Sequence, residues 1–112
     1  MFAVLEAVIA SSGTLSSAVE IPEWVESVAL GIPTMTDGDI TLQTCDTSGG
    51  TYKDVAKAGD ANPFIVAPSG TDGCFVDITE EIKAFRGYLK VKSGASQVAE
   101  RTISVYVSEG GV

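Results

Sequence analysis

The chain has 112 residues, 45% of them hydrophobic, with 7 Lys plus Arg against 15 Asp plus Glu for a net charge of −8, and it contains no His. That length is the common size of one domain, so residues 1–112 are read as a single domain held by its own apolar burial, with no cofactor required. The acidity speaks against direct nucleic-acid binding, which needs Lys and Arg to displace phosphate counterions, and two thiols without any His fall short of a metal site.

Residues 1–52 hold seven acids and no base, whereas seven bases meet eight acids from Lys53 onward, a bias that reads first as solubility. The opening run Phe2 to Ala10 is apolar but too short to span a membrane, and Glu6 interrupts it. It lacks the Lys or Arg that opens a signal peptide, so export by that route is not expected. Two readings stay open for residues 1–12: the first strand of a sheet, or an extended arm reaching a neighbouring subunit. Phe2, Val4, Leu5 and Val8 are accordingly interface candidates.

Ala18 to Ile21 is a short strand with Val19 and Ile21 on one face. The following Pro22-Glu-Trp-Val25 carries the single Trp, and Trp24 either closes the core or serves as an interface anchor or sugar-stacking platform. Ser27 to Ile32 alternates Val28, Leu30 and Ile32 against smaller residues. In Thr36-Asp-Gly-Asp39 two carboxylates flank a glycine, which is first a turn sequence; a calcium loop needs more oxygen ligands than this segment offers. Asp39 to Cys45 places Ile40, Leu42 and Thr44 on one face, and Asp46-Thr-Ser-Gly-Gly50 lacks the Lys of a phosphate-binding loop.

Phe64 to Val66 and Gly73 to Ile78 are further short strands. Asp77-Ile-Thr-Glu80 resembles a capping box and predicts a helical turn near residues 79–85, with Glu81 to Phe85 as its body and Ile82 and Phe85 covering one end of the core. Gly87 to Lys92 turns Leu89 and Val91 inward, and Arg101 to Val107 does the same with Ile103, Val105 and Val107. Tyr52, Tyr88 and Tyr106 fall singly on outward positions, and scattered exposed aromatics need no explanation.

About eight short strands between closely spaced Gly and Pro residues predict an all-β, antiparallel β-sandwich of jelly-roll or Greek-key type. Without His there is no Ser-His or Cys-His pair, so no catalytic residue is assigned and the chain is not read as an enzyme. Cys45 and Cys74 can bond only if their strands are neighbours with facing Cβ atoms. Without an export signal they read as small apolar side chains in a reducing cytosol.

The runs Ser16-Ser-Ala-Val-Glu-Ile-Pro22, Ser27-Val-Ala-Leu30, Ile40-Thr-Leu-Gln43, Gly49-Gly-Thr-Tyr-Lys-Asp54, Tyr88-Leu-Lys-Val-Lys-Ser-Gly94 and Ala99-Glu-Arg-Thr-Ile-Ser-Val105 together resemble small structural proteins of tailed-bacteriophage virions. The likeness covers most of residues 14–107; it departs at Cys45-Asp-Thr-Ser48 and in the charged turn from Glu81 to Phe85. It implies a β-sandwich head decoration (cement) protein, made in the host cytoplasm and placed on the outer capsid surface. Its implied partners are the major capsid protein and further copies of itself, a trimer being favoured. The alternative implied role is a head-fibre, neck or tail-associated module that binds a host-surface carbohydrate.

Overall fold

A computed structural model describes residues 1–56, 59, 62–68, 73–82 and 87–109. In chain order the elements are β1 (Phe2–Ile9), β2 (Val19–Ile21), β3 (Ser27–Ile32), β4 (Ile40–Cys45), β5 (Lys53–Asp54), β6 (Cys74–Asp77), the short helix α1 (Thr79–Ile82), β7 (Gly87–Ser93) and β8 (Arg101–Ser108). They form two four-stranded sheets, the first ordered β1-β8-β3-β6 and the second β2-β7-β4-β5. All strand pairings are antiparallel, and the chain is an all-β two-sheet fold consistent with a sandwich.

Two-residue alternation places the core where the sequence predicts it, because every second side chain of a strand points to the same face. Leu30, Ile103, Val105 and Val107 from the first sheet and Leu42 and Val91 from the second are fully buried, with Val28, Ile32, Ile40 and Leu89 nearly so. Side chains of this kind each contribute about 1.5–3 kcal/mol by leaving water. β1 splits the opening apolar run between its two faces. Ala7 and Ile9 are buried, while Phe2 and Val4 are exposed. The segment is thus a strand in full register with β8, from Phe2 opposite Ser108 to Ile9 opposite Arg101.

The helical turn lies where the sequence predicts it, whereas among the described residues one expected strand is absent and one unexpected strand is present. The helical turn predicted near residues 79–85 is present over Thr79–Ile82, where the Asp77 carboxylate accepts the Thr79 backbone N–H at 2.9 Å and caps the first turn. Ile78 and Ile82 form its buried side; Phe85 lies outside the described residues. Phe64 to Val66 is not a strand but leads into a single bridge between Ala67 and Ile40, since Pro63 and Pro68 on either side lack the N–H groups to extend a ladder. Conversely, Lys53 and Asp54 form the two-residue edge strand β5 against Thr44 and Gln43.

Candidate docking face on the first sheet

The outer face of the first sheet is built from residues left over when the core positions are filled. Inward Ile103, Val105 and Val107 leave Tyr106 pointing out from β8; inward Val28, Leu30 and Ile32 leave Ser27, Ala29 and Gly31 out from β3. β1 adds Phe2, Val4, Glu6 and Val8 to this face, and β6 adds Phe75 and Asp77. The register sets Tyr106 between Val4 on one side and Ala29 on the other, and sets Phe75 beside Gly31.

These placements produce a row of three rings. Phe2 and Tyr106 stack with centroids 6.4 Å apart, and Phe75 meets Tyr106 edge-on at 5.4 Å. Tyr106 and Phe75 stand on strands separated by β3, so they meet only because β3 has small residues below them. A Cβ on Gly31 would lie 3.1 Å from Cε2 of Tyr106 and 3.4 Å from Cε1 of Phe75, tight enough to push the rings apart. Phe2 remains 64% exposed and Phe75 73% exposed, so two large apolar side chains that each meet the Tyr106 ring stand in water. Clustered apolar exposure is a feature that interaction surfaces use, whereas single exposed apolar residues need no explanation.

At one end of the row a groove of about 280 Å³ opens between Phe2, Tyr106, Asp77 and Thr79 over Ser27 and Ser108. The Ser27 and Ser108 hydroxyls bond each other across β3 and β8. Thr79 Oγ1 accepts the Val28 backbone N–H at 3.0 Å, tying the start of α1 to β3. Asp77 supplies the groove's charge, and hydrogen bonds from the backbone N–H and the hydroxyl of Thr79 hold its carboxyl below the usual carboxylate range.

The outer face of the second sheet is different in kind. Lys90 Nζ lies 4.3 Å from the centre of the Tyr52 ring, and the Tyr88 hydroxyl donates to the Glu20 carboxylate at 3.2 Å. Glu20 holds the Tyr88 hydroxyl above its ordinary range, and partial desolvation does the same for Tyr52. Here polar groups answer one another within the chain.

Of the interface candidates read from the sequence, Phe2, Val4 and Val8 share the outer face of the first sheet. Leu5 points to the opposite side and packs on the core, and Trp24 is half-buried against the core at the turn between β2 and β3. Sequence reading missed Phe75 and treated Tyr106 as an isolated aromatic; the row exists only because β8, β3 and β6 are neighbours. Cys45 on β4 and Cys74 on β6 are both half-buried free thiols on different sheets. Among the described residues, no group of three or more His, Cys, Asp and Glu converges as a metal site, and no helix is long and apolar enough to cross a membrane. No protein-family model, curated protein or solved structure matches the chain.

Proposed function

We propose that this chain is a structural docking domain that seats the outer face of its first sheet on another protein, as a decoration protein on the outside of a tailed-phage head. The observation that carries this reading is the exposed ring row of Phe2, Tyr106 and Phe75. Aromatic side chains contribute large contact area at low conformational cost, which makes them frequent anchors of protein interfaces. The major capsid protein is the partner that the sequence resemblance suggests. Strand pairings β1 with β8, β2 with β7, β3 with β6 and β4 with β5 support a jelly-roll winding, an architecture used by viral capsid and lectin domains. Because fold does not fix function, the capsid role rests on the resemblance and the docking role on the face itself.

Replacing Phe2, Phe75 and Tyr106 together by Ser is expected to reduce attachment to purified capsid shells by about tenfold or more. The thermal midpoint of the free protein should stay within about 5 °C, since the rings lie outside the core. Unchanged attachment would remove the face from the interaction. A second reading is favoured by the groove, where Asp77 and the hydroxyls of Thr79 and Ser27 stand beside the Tyr106 ring in the mixture of stacking surface and polar groups that suits a sugar. Wild-type protein that binds host-surface glycan but no capsid shell would select it.

A further inference from the structure

We infer that two copies of this chain pair through the free edge of β1, antiparallel and about a two-fold axis at Val4, to join their first sheets into one continuous sheet. β1 is the end strand of that sheet; β8 pairs with the whole of one side, and on the other side the Val8–Ile9 end is held by Ser16 and Ser17. Val8 shows which of its backbone groups face away from β8. Its N–H donates to Ser17 Oγ at 3.1 Å, and its carbonyl accepts the Ser17 N–H at 2.9 Å. By two-residue alternation the N–H and C=O groups of Phe2, Val4 and Glu6 point to the same edge. No described residue of the chain reaches these three.

Natural sheets blunt such edges with very short strands, Lys, Pro or bulges, because an open ladder recruits another strand. The other three edge strands here are short: β2 has three residues, β5 two and β6 four. β1 has eight, Phe-Ala-Val-Leu-Glu-Ala-Val-Ile, with no Pro, Gly or base and a single charge at Glu6. Among the described strands it is the longest edge, and Glu6 is its one charged residue.

A second copy fits this edge in one register better than in any other. With Val4 opposite its own image, Phe2 faces the partner's Glu6 and Glu6 the partner's Phe2, giving three hydrogen-bonded pairs that use all the open backbone groups. Moving the partner two residues one way leaves Glu6 unpaired, while the opposite shift brings Phe2 against Val8, whose groups Ser17 already holds. A further shift sets Glu6 against Glu6. In the Val4-centred register the two carboxylates are about 13 Å apart along the strand, beyond the ~8 Å screening length at physiological salt. The pairing also carries both ring rows on one face of the joined sheet. A strand ladder alone is smaller than a standard interface, so dimerisation in the micromolar range is expected. A two-fold contact closes at two copies and does not build the trimer implied by the resemblance.

Val4 is the residue to change, since its side chain and N–H lie outside the chain's own ladder. Sedimentation equilibrium of the full chain should show a dimer that is lost, by at least about tenfold in dissociation constant, in Val4→Lys, where like charges meet across the axis. Val4→Pro, which removes an N–H that the monomer does not use, should act alike. Mixing Val4→Lys with Val4→Glu chains should restore a one-to-one dimer. Far-UV circular dichroism reports whether each variant keeps the fold. A wild-type chain that stays monomeric at about 200 μM, well above a micromolar dissociation constant, overturns the inference. So does a mass of three copies, or a folded Val4→Lys chain that dimerises like wild type.

Discussion

Gln97 is 1% exposed, and its amide is fully engaged. Its Nε2 donates to Ser93 Oγ at 2.8 Å and to the Ala95 carbonyl at 3.0 Å, while Oε1 accepts the Thr36 backbone N–H at 2.8 Å. One side chain thereby binds the β7–β8 connection to the loop before β4. Gly38 in that loop has φ +144°, and a Cβ there would stand 2.5 Å from the Ala95 nitrogen, so the close approach of the two loops requires glycine. Gln97→Ala is expected to destabilise the fold by about 1–3 kcal/mol, because the Thr36 N–H loses its partner while the Ser93 hydroxyl keeps only its bonds to Ala95; urea unfolding measures this. No feature of Gly94-Ala-Ser-Gln97 distinguishes this Gln from a solvated one in sequence. Its role depends on a neighbour 61 residues away.

Among the elements, α1 is short enough that its cap decides where it starts. Asp77 is the residue the sequence marks for that role, and its carboxylate takes the Thr79 N–H. Because the folded chain holds this carboxyl below its ordinary value of 3.8, the contribution is complete at pH above that value and is lost as pH falls through the lower folded value. Asp77→Ala should therefore cost about 1 kcal/mol at pH 7, the usual effect of deleting a cap. The difference from wild type should shrink below about pH 3.8, as thermal melts across pH 2–7 would show. β1 illustrates the opposite case. Its alternation is weak in sequence, since Phe2, Val4 and Val8 on the outer face are as apolar as Leu5 and Ile9 on the inner one. The strand's orientation was settled by pairing with β8, whose polar and apolar residues alternate cleanly.

The two sheets share one core, and the chain's radius of gyration of 13.1 Å is near the ~13 Å expected for a 100-residue domain. Leu30 sits at its centre on β3, between β8 and β6, and is fully buried. Leu30→Ala should cost about 2–5 kcal/mol, a large part of the ~5–15 kcal/mol that holds a domain folded. Far-UV circular dichroism and the fluorescence of Trp24, which packs on that core, should be lost in one coincident transition. Separate transitions would mean that the sheets unfold independently.

Much of the architecture follows from local pattern. Val28, Leu30 and Ile32, then Leu89 and Val91, then Ile103, Val105 and Val107 recur every second residue, and that period alone dictates strands with one buried face. Side-chain period, however, carries no information about which strands become neighbours. The ring row needs β8, β3 and β6 side by side with Gly31 beneath; the open edge needs β1 at the end of its sheet. Both arise from contacts between residues far apart in the chain, where closure of the whole core, and not local preference, chooses the partners.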